Sequence, residues 1–164
     1  MGGFDRPRGR WVAVIAVLLA IVGLGIWATG GTVLVVERAD TGTTVLRTPV
    51  SDGSTVGLEY MHSVEKSRVY DEYTVRGTTL VMTRMEFETY GWGLPADANV
   101  TRENGTFVYD PPGEYERIRV TPGSIANHTL TVENRTYDLV ERSGGNSVII
   151  RVTSTRIPTR LFES

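Results

Sequence analysis

An uncharged stretch near the start of the chain, Trp11–Thr29, constrains the fold more than any other feature. It reads WVAVIAVLLAIVGLGIWAT, nineteen residues without a charged side chain, and a helix needs roughly 20 apolar residues to cross the hydrocarbon core of a bilayer. Trp11 and Trp27 lie near its two ends, where tryptophan favours the membrane interface. The sequence therefore predicts a transmembrane anchor at residues 11–29, between a basic N-terminus at residues 1–10 and one domain at residues 30–164.

The charges that flank this helix are asymmetric. Arg6, Arg8 and Arg10 precede it, and the first charged residue after it is Glu37. Because basic residues accumulate on the cytoplasmic side, we expect a single-pass protein of the cell membrane, with its N-terminus in the cytoplasm and its C-terminal domain outside. The alternative is a cleaved signal peptide, but the apolar run exceeds the ~7–15 residues usual for one, which favours an uncleaved anchor.

The composition excludes several functions. The chain contains no cysteine, which rules out a lipoprotein anchor, disulfides, thiol catalysis and cysteine metal sites. Without Asp5 and the three N-terminal arginines, 18 acidic and 14 basic residues remain, a net charge near −4. Because nucleic-acid binding requires a concentrated basic face, we expect no nucleic-acid partner.

Four of the five asparagines stand in N-x-Thr sequons. Chance would give about one such sequon in a chain of this composition. The sequons predict surface turns in an exported domain, glycosylated at Asn99, Asn104, Asn127 and Asn134. The alternative is that Asn and Thr act only as turn and strand formers.

The residues after the anchor are rich in short β-branched and aromatic segments separated by Gly, Pro and Asn turns. This pattern predicts an all-β fold, an antiparallel β-sandwich or small open barrel of about eight to ten strands. No further helix of useful length is predicted. The predicted strands are Val33–Arg38, Thr44–Arg47, Thr55–Val64, Val69–Val75, Leu80–Thr89, Thr106–Tyr109, Glu114–Val120, Thr129–Glu133, Thr136–Glu141 and Ser147–Thr153.

The stretch Tyr60–Tyr73, YMHSVEKSRVYDEY, reads as a β-hairpin. If Lys66-Ser67 forms a two-residue turn, the antiparallel register places His62 opposite Asp71. The face that carries both residues is otherwise apolar or aromatic, so we expect it to point inward.

A buried His62–Asp71 pair permits several interpretations. A structural pair is favoured, because each partner satisfies a polar group that is costly to bury alone. A ligand-contacting pair at the mouth of the domain is the second interpretation. A metal site is not expected, because His128 is isolated from carboxylates at ligand spacing. A Ser63–His62 catalytic couple is disfavoured, because adjacent strand residues point to opposite faces.

A second unusual stretch follows at Phe87–Pro95, FETYGWGLP. Gly91 and Gly93 before Pro95 indicate a sharp corner, with positive φ or close backbone approach at one glycine. The stretch lacks a phosphate-loop pattern. It is interpreted as a structural corner packed on Tyr90 and Trp92, or as a recognition edge beside the hairpin.

These two stretches together resemble a known family. The segment His62-Ser63-Val64, the acidic pair Asp71-Glu72 before Tyr73, and the run from Tyr90 to Pro95 resemble the domain-of-unknown-function family 1850, a group of small exported prokaryotic proteins. The resemblance covers about Leu58 to Pro95. This chain departs from the pattern at Trp92, where a small residue is usual, and at Arg68, where a proline is expected.

The resemblance implies an accessory role in secondary transport, because members often occur alongside membrane subunits of tripartite ATP-independent transporters of the TAXI type. We therefore expect a non-enzymatic accessory or binding module without cofactor, metal or catalytic residue. Its expected partners are membrane lipid through the anchor and a transporter permease or solute-binding protein. The expected recognition residues are His62, Ser63, Asp71, Glu72, Tyr90, Gly91, Trp92, Gly93 and Pro95.

The alternative function is a membrane-tethered surface hydrolase that acts on glycan or peptide. In that case His62 is the base, and Asp71 or Glu72 is its orienting partner or an acid.

Overall fold

Two antiparallel sheets and one short helix make up the described part of the chain, residues 31–89 and 100–155 of a computed structural model. The strands are β1 (Thr32–Arg38), β2 (Thr44–Val50), β3 (Thr55–Met61), β4 (Arg68–Arg76), β5 (Thr79–Phe87), β6 (Thr101–Glu103), β7 (Thr106–Tyr109), β8 (Glu114–Tyr115), β9 (Ile118–Val120), β10 (Thr129–Val132), β11 (Arg135–Asp138) and β12 (Val148–Ser154), and the helix α1 (Leu139–Ser143) joins β11 to β12.

The predicted anchor at 11–29 and the corner residues Tyr90–Pro95 lie outside the described residues. Within the described ranges, no helix has both the length and the apolar character required to cross a bilayer.

The smaller sheet has the strand order β2-β1-β12-β9. The larger sheet has the order β11-β10-β3-β4-β5-β7-β6, and β8 pairs with β5 beside this path. The chain ends of this unit meet in the smaller sheet, where Thr32 pairs with Ser154. The amide N–H of Thr155 donates to the carbonyl of Gly31 at 2.7 Å.

Both sheets contribute to a single hydrophobic core. Leu34 and Ile150 come from the smaller sheet, whereas Val75 and Leu130 come from the larger one, and all four are fully or almost fully buried. Each such side chain contributes roughly 1.5–3 kcal/mol relative to an exposed one. The alternation of buried and exposed positions along β4 thus fixes which face of the larger sheet points inward.

A polar contact joins the edges of the two sheets. The buried hydroxyl of Thr48, on β2, accepts hydrogen bonds from Arg135 and Tyr137, on β11, each at 3.2 Å. Because an unpaired buried hydroxyl is costly, these bonds favour one relative placement of the two edges.

A β-bulge interrupts the pairing of β4 with β5. Glu72 pairs with Arg84 and Tyr73 pairs with Met82, which leaves Thr83 as the extra residue. Met82 and Met85 therefore both lie on the inner face, although their spacing of three would place them on opposite faces of a regular strand.

The prediction of an antiparallel all-β domain is confirmed, and the sheets of the described residues do not close into a barrel. The predicted strand number is too low. The predicted strand Glu114–Val120 is in fact β8 and β9, which belong to different sheets. The predicted strand Thr136–Glu141 ends at Asp138, whose carboxylate accepts the Glu141 N–H at 2.9 Å and caps α1.

Gly57 provides a test of the packing on the outer face of the larger sheet. A Cβ atom at this position would lie 2.5 Å from the hydroxyl of Tyr70 and 2.6 Å from its ring. We expect Gly57→Ala to lower the free energy of unfolding by about 1–3 kcal/mol, because it overpacks this contact. Thermal melting of the full-length protein in detergent is the measurement. Gly123→Ala is the control, because a Cβ there meets no atom within 4 Å; equal melting of the two variants would contradict the packing.

Candidate functional site

Asp71 is a carboxylate on the inner face of the larger sheet. It lies on β4 between Leu58 of β3 and Met85 of β5, and its side chain is only 7% exposed. Apolar neighbours on both sides leave it little access to water. This is an unusual environment for an acid, because buried carboxylates normally have a cation or several hydrogen bonds.

The Tyr60 side chain, the diagonal neighbour on β3, interacts with this carboxylate and favours its charged form. The Oδ1 atom of Asp71 is buried without a hydrogen-bond partner. Burial raises the pKa of Asp71 to about 6, and the hydrogen bond from Tyr60 lowers it by a smaller amount. No arginine or lysine forms an ion pair with Asp71 in the described part of the chain.

Two more tyrosines lie near this carboxylate. Tyr73 is buried two residues along β4, and Tyr115 of β8 contacts it edge to face, with ring centroids 6.0 Å apart at 84°. Burial raises the pKa of Tyr73, and the charge of Asp71 raises it further. Tyr115 is 38% exposed, so it stands on the solvent side of the group.

His128, the residue just before β10, completes the arrangement. Its ring stacks on Tyr60 at a centroid distance of 5.2 Å and an angle of 14°. The Nδ1 atom is buried without a hydrogen-bond partner, and burial lowers the pKa of the ring. We refer to Tyr60, Asp71, Tyr73, Tyr115 and His128 as the Asp71 cluster.

His62 lies in the loop between β3 and β4. Its N–H donates to the carbonyl of Ser67 and its carbonyl accepts from the N–H of Lys66, both at 2.8 Å. Its Nδ1 accepts from the N–H of Glu65 at 3.3 Å. The side chain therefore helps to hold the loop that its own backbone closes.

The predicted pairing of His62 with Asp71 is wrong. The register places Leu58 opposite Asp71, and His62 lies beyond the last paired position, Met61. The cause is the turn: residues 63–66 form a four-residue loop, with Lys66 at φ 49°, in place of a two-residue turn at Lys66-Ser67. The register shifts by an even number of residues, so Asp71 keeps its inward direction.

The other predicted recognition residues are dispersed. Ser63 is exposed in the loop, and Glu72 lies on the outer face, where its Oε1 accepts from the Thr83 hydroxyl at 3.4 Å. Asp71 and Glu72 thus lie on opposite faces of the sheet. Tyr90, Gly91, Trp92, Gly93 and Pro95 lie outside the described residues.

A groove of about 150 Å³ adjoins the cluster at Tyr60. Its wall includes the ion pair between Glu59 and Arg68, with 2.8 Å between Oε2 and Nε. The remaining lining residues are Met61, Ala126, Asn127 and Thr129. Because Glu59 and Arg68 lie on the face of the larger sheet opposite to Asp71, the groove opens on the outer face.

Exposed apolar side chains border this groove. Met61 is 39% exposed, Val64 67% and Ile125 77%. Their two loops are held together by the Met61 N–H, which donates to the Ala126 carbonyl at 2.7 Å. We refer to Met61, Val64 and Ile125 as the apolar rim.

The outer face of the larger sheet carries a chain of ion pairs. Glu86 contacts Arg68 at 3.3 Å and Arg84 at 2.8 Å, and Arg84 also contacts Glu103 at 2.8 Å. Such exposed pairs contribute little each, typically below about 1 kcal/mol. The network satisfies its own charges and offers no isolated catalytic group.

Three sequons occupy exposed turn positions. Asn104 and Asn127 have positive φ, and Asn134 follows Glu133 at a tight turn. Asn99 lies outside the described residues. Within residues 31–89 and 100–155, no three His, Asp or Glu side chains are grouped as metal ligands.

Sequence reasoning placed Asp71 on an inward face among aromatic residues, but it did not predict that His128 and Tyr115 join them. His128 meets Tyr60 because Thr129 pairs with Glu59, a contact between strands about 70 residues apart. No local pattern predicts that pairing. A signal was nevertheless present in β3, where Tyr60 shares the inward parity of Leu58 and occupies a diagonal position to Asp71.

Comparison with protein families identifies a relationship over half of the chain. A family model described as a domain of unknown function (DUF1850) matches residues 56–139. These residues run from β3 to the start of α1 and include the whole Asp71 cluster. No curated protein and no solved structure matches the chain.

The raised pKa of Asp71 predicts a pH-dependent stability. The folded protein binds this proton up to about pH 6, whereas the unfolded chain releases it near its ordinary pKa of 3.8. The free energy of unfolding should therefore fall by up to about 3 kcal/mol as pH rises through that window, and then level off. Asp71→Asn should lack this component in thermal melts of the full-length protein across the window.

His128 has a lowered pKa and acts in the opposite direction, since its stabilising effect is lost as pH falls. His128 is present in both proteins, as are Tyr60 and Tyr73. The difference in pH-dependent stability between wild type and Asp71→Asn therefore reports the titration of the Asp71 carboxyl alone. The same pH profile of stability in the two proteins would contradict the assignment of a raised pKa to Asp71.

Proposed function

The chain belongs to the DUF1850 family, and on that premise we propose that it is a non-enzymatic accessory or binding module of a TAXI-type tripartite ATP-independent transporter. In this proposal an N-terminal anchor holds the β-domain on the outer surface of the cell membrane. Its partner is the permease or the solute-binding protein of the transporter, and it carries out no chemistry of its own.

The apolar rim is the observation that supports this proposal most directly. Three large apolar side chains, Met61, Val64 and Ile125, are exposed on two adjoining loops at one end of the larger sheet. A single exposed apolar residue is common, but a group beside a groove is typical of a protein-contact surface. Burial of such residues by a partner would supply the central apolar part of an interface.

The groove supplies polar complementarity next to that rim. Glu59 and Arg68 present one charge of each sign, and Asn127 and Thr129 present groups that can donate and accept hydrogen bonds. Polar groups around an apolar centre give an interface its register and specificity. The combination supports recognition of a defined protein surface.

The location in this proposal rests on the sequence. The arginines before Trp11 and the uncharged Trp11–Thr29 favour an anchor with the domain outside. The sequons, three of them at exposed turns, are consistent with an exported domain.

The hydrolase alternative loses its proposed catalytic pair. It required His62 as a base oriented by Asp71 or Glu72, whereas the register places Asp71 opposite Leu58 and Glu72 on the outer face. A base and its orienting acid must be within hydrogen-bond reach. We therefore retain the binding module as the proposed function.

The rim can be tested by charge substitution. Val64→Asp and Ile125→Asp should each reduce chemical cross-linking of the full-length, membrane-bound protein to the solute-binding protein or permease encoded beside it by about tenfold or more, because a buried carboxylate in an apolar contact is costly. Solute uptake by the transporter should fall in parallel. Thermal melting should be unchanged, since both positions are exposed.

Thr78→Asp is the matched control, because Thr78 is exposed in the turn between β4 and β5, away from the rim loops. It should cross-link like wild type. Rim variants that cross-link normally would contradict the docking surface, and a wild-type protein that cross-links to neither subunit would contradict the transporter role.

The proposed location has its own test. Protease added to intact cells should cleave the domain while a tag before Arg6 stays protected, because the arginines orient the anchor. Intact-mass analysis should show glycan that decreases by one unit in Asn104→Gln or Asn134→Gln. A domain that is protected in intact cells and carries no glycan would contradict the exported location.

A further inference from the structure

The Asp71 cluster contains a buried carboxylate that the described protein groups do not neutralise. Its Oδ1 atom has no hydrogen-bond partner, and no basic side chain pairs with it among the described residues. The chain does not lack cations nearby, because Arg68 and Arg84 satisfy carboxylates on the opposite face of the same strands. The negative charge of Asp71 on the inner face is therefore not compensated by a cationic side chain of the described residues.

The surroundings of the carboxylate are aromatic. Tyr60 and Tyr73 flank it on two strands, and Tyr115 extends the aromatic group towards solvent. Aromatic faces attract cations through their quadrupole, and tyrosine hydroxyls also accept hydrogen bonds. A carboxylate beside several tyrosines has the composition of a site for an organic cation.

The cluster reaches solvent at Tyr115, which is 38% exposed. At its other end the ring of His128 stacks on Tyr60, and the buried Nδ1 of His128 adds a second polar atom without a hydrogen-bond partner.

We propose that the Asp71 cluster binds the primary ammonium group of a small organic ligand, with Asp71 as its counter-ion and the tyrosines around it. A primary ammonium carries three N–H donors and matches an unpartnered carboxylate oxygen together with hydroxyl and imidazole acceptors. A metal ion fits less well, because the described residues contain no group of three His, Asp or Glu ligands. The raised pKa of about 6 leaves Asp71 mostly ionised above neutral pH.

This inference rests on one part of the proposed function, that the domain is a recognition module. It does not depend on the transporter partner or on the apolar rim. Amine binding is measured on the purified protein alone, so its failure is distinguishable from a failure of the cross-linking test.

The test uses n-propylammonium as the probe and 1-propanol as its neutral analogue. We expect saturable binding of n-propylammonium to the full-length protein in detergent, seen as a rise in melting temperature and by calorimetry, with sodium chloride at matched ionic strength as the blank. Asp71→Asn should lower the affinity by about tenfold or more, because it removes the charge-assisted hydrogen bond.

Glu72→Gln is the matched control. It removes one carboxylate from the next residue of the same strand, but on the outer face, so it should bind the probe like wild type. Melting of Asp71→Asn in the absence of probe confirms that this variant is folded.

Four results would overturn the proposal: no saturable binding to wild type, equal binding of 1-propanol, equal affinity in Asp71→Asn, or an equal loss in Glu72→Gln. Tetramethylammonium distinguishes hydrogen bonding to Asp71 from the attraction of a cation to the tyrosine rings, since it carries the charge but has no N–H donor. It should bind more weakly than n-propylammonium, and equal binding would refute the role of Asp71 as a hydrogen-bond acceptor.

Discussion

The strict alternation of β4 is the constraint on which the rest of the structure depends. The strand lies between β3 and β5, and its burial pattern sends Val69, Asp71, Tyr73 and Val75 to the inner face. Three of these four side chains gain roughly 1.5–3 kcal/mol each from burial. The pKa of Asp71 corresponds to a cost of about 3 kcal/mol at neutral pH. The apolar gain exceeds that cost, so the strand keeps its orientation and the carboxylate is carried inside with it.

The carboxylates on the two faces of the larger sheet have different partners. On the outer face, each of Glu59, Glu86 and Glu103 has an arginine nitrogen within 3.3 Å, and these groups remain partly in contact with water. On the inner face, Asp71 has a tyrosine as its hydrogen-bond donor and an apolar neighbour on each side. The outer network resembles ordinary surface electrostatics, whereas the inner carboxylate concentrates its field in a medium of low dielectric constant. Asp71 is therefore the chemically exceptional charged group of this sheet.

The face of the sheet on which each residue of β4 lies could be predicted from this sequence, but the register of β4 with its neighbour could not. Alternation alone identified the face that carries Asp71, because the apolar pattern has a period of two. The partner of Asp71 was misassigned, since the hydrogen bonds of His62 with Lys66 and Ser67 select a longer loop than the local sequence suggested. The stacking of His128 on Tyr60 was not predictable, because it depends on pairing of distant strands. The bulge at Thr83 is a further case in which tertiary packing alters a regular strand.

The meeting of Gly31 and Thr155 in the smaller sheet has a mechanical consequence. Because these residues are hydrogen-bonded to each other, the first and last residues of the described domain are held together at one end of the β1–β12 pairing. A tight turn at residues 51–54 leads from β2, beside that point, into β3, whose seven residues then run about 20 Å towards the loops at Met61. A force applied at Gly31 or Thr155 therefore acts first on the pairing of β1 with β12, and it reaches the loops at Met61 only through the sheets. The loops that carry Met61 and Ile125 are thereby separated from strain that enters at Gly31 and Thr155.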